Sequence, residues 1–419
     1  MRFLRGCDAT RFLAALVLGA CAVAANAGEW PQYRGPDADG ITAEQVRPWP
    51  GELKTLWKIP VGDAFGSFAV VDGKAYLYAK HGENNEACFC YDGATGKQLW
   101  VTDIDKTTHN RDGGEGPRTT PAVSGGRVYV YSTYLKLACL DASDGKVLWS
   151  HDVNSEFQGQ NKTDGVRQWG NSISPLLQGD RVIVAGGGAG QTYLAFAAKS
   201  GKVLWKTGTD KITHASPTPA IILGQKQVIF FMQEGLVSID PQAGRELWRQ
   251  KFKFRTSTAA SPVVGDDIVY CSAGYQVGAG AFQISKTGSK WSSRTLWITP
   301  RENINHWTTA VYHNGYLYGL YGFKDFGKEP LKCLELKTGK VMWSKEGFGQ
   351  GGLILAGDHL LVQGDAGQIV LAEAKPDAYH ELARAKPLSG KAWQMPIVAE
   401  GKIFTRTTDD GNAVCLEAK

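Results

Sequence analysis

Eight side chains in this sequence have types that could do chemistry and fall where loops rather than strands are written: Arg118, Trp169, Asn171, His214, Arg255, His306, Trp307 and Trp393. Each sits in a polar stretch between two strand-like segments, as in Thr-His-Asn-Arg-Asp-Gly-Gly-Glu-Gly-Pro-Arg over 108–118 or Asn-Ile-Asn-His-Trp over 303–307. Guanidinium and indole groups suit an anionic or planar ligand. The competing reading is that these side chains plug a channel and bond to loop backbones, and the sequence leaves both open. No catalytic residue is assigned. A lone His in such a loop is more often structural than a base or metal ligand, and no Gly-x-Ser-x-Gly or His-Glu-x-x-His pattern occurs. Asp112, Glu115 and Asp164 lie nearby, but at no spacing that defines a metal site, so none is expected. The glycine run 186–190 precedes no helix and ends in no Gly-Lys-Ser/Thr, so it is not a phosphate loop.

The segments that must position these loops repeat. Cys139-Leu140-Asp141-Ala142-Ser143-Asp144-Gly145-Lys146-Val147-Leu148-Trp149 has counterparts ending at Trp100, Trp205, Trp248 and Trp343, and a stretched copy ending at Trp297. The pattern is a small residue, usually Asp two places on, Gly six places on and Trp ten places on. With Trp57, the tryptophans stand at 57, 100, 149, 205, 248, 297 and 343, so the period runs from 43 to 56 residues. Such a period, with alternating strands throughout, predicts an all-β propeller of four-stranded antiparallel blades. The glycines at 96, 145, 201, 244 and 339 permit the turn before the outer strand. The tryptophans are read as covering the neighbouring blade's turn, a packing role rather than a binding one. Residues 53–60 read as an outer strand without a blade, and 393–398, 402–407 and 413–417 as three strands without a fourth. Pairing the N-terminal strand with the C-terminal ones closes a ring of eight blades with no free sheet edge, seven being the alternative count. The expected organisation is a leader at 1–27, an extended segment at 28–52 draped over the ring, and the propeller at 53–419.

This grammar resembles the tryptophan-docking motif of the PQQ-type repeat, which builds the propellers of quinoprotein dehydrogenases and of the outer-membrane assembly propeller lipoprotein. Trp30-Pro31-Gln32-Tyr33-Arg34-Gly35-Pro36, Gly116-Pro117-Arg118-Thr119-Thr120-Pro121 and Leu371-Ala372-Glu373-Ala374-Lys375-Pro376 resemble the secreted PQQ-binding-like β-propeller repeat proteins in particular. The dehydrogenase branch implies PQQ and Ca²⁺ in the funnel, a catalytic Asp and a vicinal Cys-Cys disulfide. No Cys-Cys pair occurs here, so no cofactor is expected, and PQQ with Ca²⁺ stands only as the enzymatic alternative. The assembly branch implies a non-catalytic scaffold with a protein partner in the cell envelope.

Composition narrows the classes further. The net charge is +5, of which Arg2, Arg5, Arg11 and Asp8 supply +2, leaving about +3 in the remainder with no basic run and no nucleic-acid signature. Residues 1–27 read as an export signal ending at Ala25-Asn26-Ala27. Leu18-Gly19-Ala20-Cys21 offers a rival reading, a lipid anchor at Cys21. No other stretch is long and apolar enough for a transmembrane helix. Cys90, Cys139, Cys333 and Cys415 occupy or adjoin the small position of the repeat in separate blades, so buried thiols are expected rather than bridges, although export permits disulfides.

Overall fold

The computed structural model describes residues 28–109, 114–160, 169–254, 256, 258–323, 327–409 and 411–418. The leader, Arg255, Asp112 and Asp164 lie outside them. Eight antiparallel four-stranded blades form a closed ring. Seven run in chain order over 69–106, 122–152, 176–207, 218–251, 263–300, 311–345 and 352–385. The eighth joins Thr55–Pro60 to Ile397–Ala399, Lys402–Arg406 and Asn412–Glu417, with the N-terminal strand outermost.

The repeat explains itself in the register. The small residue stands directly opposite the tryptophan: Cys90 faces Trp100, Cys139 faces Trp149, Ala195 faces Trp205, Ser238 faces Trp248, Ala281 faces Trp297, Cys333 faces Trp343 and Cys415 faces Trp57. A β-bulge follows each pair and turns the indole toward the next blade. There the ring covers that blade's turn glycine. A Cβ on Gly145 would lie 2.6 Å from the Trp100 ring, and Gly96, Gly201, Gly244 and Gly339 meet Trp57, Trp149, Trp205 and Trp297 in the same way. These glycines also have φ near +70°, so they are required both sterically and conformationally. The indole N–H then donates to a carbonyl of the same turn, as from Trp57 to Gly93 (3.1 Å) and from Trp297 to Leu336 (2.8 Å). Trp248 departs from the rule and donates to Gln227 Oε1 of its own blade (2.7 Å), because the stretched fifth blade brings no turn glycine to it.

Blade seven reverses the sizes, with Leu371 opposite Ala383. Its outer neighbour is the composite blade, in which no tight turn joins Asn412–Glu417 to the outer strand Thr55–Pro60. Trp49, from the segment before the propeller, is buried in the same apolar cluster as Ala383 and Leu388. The six described cysteines are all buried free thiols.

The chain before the first blade is more deeply built in than a draped segment. Trp30 forms an antiparallel bridge with Val70 of blade one, Pro31 accepts from Val123 of blade two (2.7 Å), and Gln32 Oε1 accepts from Leu177 of blade three (2.9 Å). Arg34 is fully buried and donates to the Thr309 and Ala310 carbonyls of blade six (3.2 and 2.9 Å). Ile41–Thr42 then adds a parallel strand to blade seven, and Glu44 accepts from Glu400 and Gly401 of blade eight (2.7 Å each). One strap thus crosses the end of the axial channel that carries the short turns and turns a pore into a blind well.

Candidate functional site

At the other end of the ring, the loops leading into the first strands converge around a cavity of about 350 Å³, with Tyr33 of the strap at its floor. A belt of hydroxyls surrounds the neck. Ser67 N–H donates to Thr120 Oγ1 (3.0 Å), Thr120 N–H to Ser174 Oγ (3.0 Å), Ser174 N–H to Ser216 Oγ (2.9 Å) and, further round, Ser261 N–H to Thr309 Oγ1 (3.0 Å). Each hydroxyl meets the backbone donor of the preceding blade where the narrow channel offers no ladder partner. The sequence signal is the pair Thr120-Pro121, Ser174-Pro175, Ser216-Pro217 and Ser261-Pro262, where proline starts an inner strand at a position that needs no N–H.

Above the belt stands an aromatic wall. Trp307 and Trp393 are stacked, with centroids 4.5 Å apart and planes at 18°, and so span the glycine-rich mouth of blade seven. Phe65 continues the wall 6.1 Å from Trp393. His306 lies among Trp307, Tyr275 and Phe323 at 4.8, 5.0 and 4.9 Å. Gly274 makes that possible, since a Cβ there would come within 2.3 Å of the His306 ring. Trp169 meets His214 edge-on at 5.9 Å.

The cations near this wall are already engaged. The Arg118 guanidinium lies 4.2 Å over Phe65 and donates to the Gly116 and Gly114 carbonyls (3.2 and 3.3 Å). Burial lowers its pKa to about 10, with Glu86 and Asp409 opposing, so it stays charged at neutral pH. Lys391 sits 3.7 Å over Trp393 and 3.5 Å from Asp409. Burial, then the charge on Arg118, push His214 down to about 3, so its imidazole is neutral and Nε2–H donates to the Gly170 carbonyl (2.8 Å). In the same cavity, the buried Asp365 carboxylate accepts from Gly327 N–H (3.0 Å) and Gln350 N–H (3.1 Å). Burial raises its pKa and those bonds oppose the rise.

Of the residues singled out in the sequence, Arg118, Trp169, His214, His306, Trp307 and Trp393 line one cavity. Asn171 does not. It is buried behind the wall, where its amide donates to the Ser132 carbonyl (3.1 Å) and its oxygen accepts from Ile173 N–H (2.9 Å), holding the turn into blade three. Phe65, Gln350, Asp365 and Gln394 line the cavity but stand out in no sequence pattern, and Tyr33 stands in the Trp30–Pro36 motif without being marked as a cavity residue, because only ring closure brings them together.

An eight-bladed ring with tryptophan-docked blades and an aromatic funnel defines the class of PQQ-repeat propellers. Residues 84–320, over half of the chain, match the family described as outer membrane protein assembly factor BamB, and the chain belongs to that family. It is 23% identical over 269 residues to BamB of Yersinia pestis (54% of this chain, 65% of that protein) and 27% identical over 241 residues to BamB of Moranella endobia (54% and 56%). It is also 27% identical over 153 residues to the quinoprotein ethanol dehydrogenase of Pseudomonas aeruginosa, covering 33% of this chain and 23% of that enzyme. These matches span less than two thirds of each relative's length. Among solved structures, BamB of Moraxella catarrhalis superposes with a TM-score of 0.60 at 16% identity, covering 87% of this chain and 97% of that one. The quinohemoprotein alcohol dehydrogenase of Comamonas testosteroni does so with 0.66 at 14%, covering 95% and 81%. At these identities the structural likeness establishes the fold.

Proposed function

We propose that the chain is an exported, non-catalytic binding propeller of the cell envelope that holds a protein partner through its loop-bearing face. The observation that carries this reading is the asymmetry of the ring. One face has short turns and is sealed by the strap, while the other gathers long, chemically varied loops around an open funnel. Membership of the BamB family supports the location and the kind of role. The test is cross-linking in intact cells followed by affinity capture of the tagged chain from the envelope fraction. A discrete partner is expected, lost when the loops over 114–118 and 169–172 are replaced by short Gly/Ser turns. Recovery of the chain alone would overturn the scaffold role.

Export after Ala27 makes Gly28 the mature N-terminus, and the intact mass of the protein recovered from cells is expected to show it. A lipid-bearing mass starting at Cys21 would place the chain on a membrane instead.

The dehydrogenase relatives raise a second reading, a quinone cofactor in the funnel. The residues present do not fit one well. Asp365 brings a carboxylate into the cavity, Arg118 and Lys391 are committed to wall and loop contacts, and the described residues contain no group of three or more His, Cys, Asp or Glu suited to a metal.

A further inference from the structure

Gln350, 1% exposed, stands in a notch of the cavity that Trp307 and Trp393 also line. Among the described residues, neither its side-chain Nε2 nor its Oε1 has a hydrogen-bond partner, and the same holds for Trp393 Nε1. A buried amide with both ends unmade forfeits its hydration without compensation, so such a side chain points to a ligand that supplies the missing bonds. The Gln350 backbone is pinned by its N–H bond to Asp365, whose carboxylate lines the same notch.

The chemistry of that ligand follows from what surrounds the notch. An amide offers a donor and an acceptor side by side, and a carboxylate offers acceptors only. Together they match a group carrying adjacent hydroxyls, each of which both donates and accepts. The Asp365 carboxylate disfavours an anion in the notch itself; Arg118 keeps its positive charge but is held over Phe65, and Lys391 is paired with Asp409. The Trp307–Trp393 wall supplies an apolar aromatic surface for a face of C–H bonds. A cavity of about 350 Å³ is at the small end of the range for bound ligands.

We propose that this notch is a subsite for a neutral saccharide, with adjacent ring hydroxyls on Gln350 and Asp365 and the C–H face of the ring against the tryptophan wall. The subsite lies within the funnel that the proposed docking loops surround, and it predicts a ligand class that a planar, anionic quinone does not belong to.

Calorimetric titration of the purified chain with glucose, N-acetylglucosamine and maltose, and with phthalate as a planar anion, tests it. Saturable binding of at least one sugar and none of phthalate is expected. Gln350→Leu and Trp307→Ala are each expected to weaken sugar binding about tenfold or more, the loss of one well-made contact. Thermal melting checks that both variants fold, and Trp307→Ala, at a partly exposed loop position, keeps the test standing if Gln350→Leu does not. The proposal is overturned if no sugar binds at millimolar concentration, if phthalate binds and the sugars do not, or if sugar binding survives Trp307→Ala unchanged.

Discussion

Glu86 and His214 are both buried, both sense the charge on Arg118, and titrate in opposite senses. Glu86 lies between blades one and two, where Tyr78 OH (3.0 Å), Thr133 N–H (3.1 Å) and Thr133 OH donate to it. Burial still raises its pKa from 4.5 to about 7. The folded chain therefore binds this proton more tightly than the unfolded chain, and stability falls as pH rises from 4.5 to 7, by about 3 kcal/mol in all. His214 is depressed from 6.5 to about 3, so stability falls as pH drops from 6.5 toward 3. The two slopes oppose each other between about 4.5 and 6.5. Urea midpoints measured against pH should expose them separately. Glu86→Gln is expected to steepen the loss of stability on acidification in that window, and His214→Gln to reduce it. Parallel profiles for wild type and both variants would contradict the burial-driven shifts.

At the level of elements, the ring is held by two devices with different costs of removal. Trp149→Ala removes an indole that covers Gly201 and donates to the Ala198 carbonyl (3.2 Å), and is expected to destabilise the fold by about 3–5 kcal/mol in chemical denaturation. Trp169→Ala takes a ring from a loop over the funnel and is expected to cost under about 1 kcal/mol, as changes away from the core do. Equal losses would erase the distinction between docking and funnel tryptophans. The strap depends on Arg34, whose bonds to the Thr309 and Ala310 carbonyls tie it across the ring to blade six. Arg34→Met is expected to cost about 3 kcal/mol, since bonds from a charged donor to buried carbonyls are lost. Amide exchange over 30–42 should quicken with it while the blades far from the strap stay protected. The blade repeat was readable in the sequence because Trp, Gly and the small residue recur at fixed offsets within one strand–turn–strand unit. The strap was legible as an extended segment carrying the Trp30–Pro36 motif, but its contacts were not, because its partners Val70, Leu177 and Thr309 are distant in sequence and follow no motif.

For the whole molecule, the closed ring decides what the funnel can do. With PQQ and Ca²⁺ added, the purified chain is expected to show no dye-linked oxidation of alcohols or sugars. A quinone needs a face to stack on, a cation near its carbonyl and a base beside the substrate, and the charged groups here are paired for other purposes. Turnover that rises with added PQQ, and collapses in an Arg118→Ala, Trp169→Ala variant that still folds, would make the funnel an active site and sink the scaffold reading. The ring also bears on the blade that lacks the tryptophan. Blade seven, with Leu371 opposite Ala383, stands next to the composite blade, whose outer strand Thr55–Pro60 pairs with Asn412–Glu417 without the tight turn that joins these strands elsewhere.

The blade is written in the amino-acid sequence. Its strands, turn glycines and docking tryptophans interact within a repeat or with the next one, so their spacing is written in a single period. It also marked six of the cavity's residues, because Arg, His and Trp in loops leading into inner strands are unusual wherever the ring places them. Only the tertiary structure decided which of them share a cavity, that Asn171 turns inward to hold a backbone, and that Gln350 and Asp365 meet in the cavity that Trp307 and Trp393 line. The first of those relations brings together residues of many blades, and the Trp307–Trp393 stack joins the entry loops of blades six and eight. An axial site is assembled from single residues of many repeats, and no local spacing records a contact that exists only once the last strand has paired with the first.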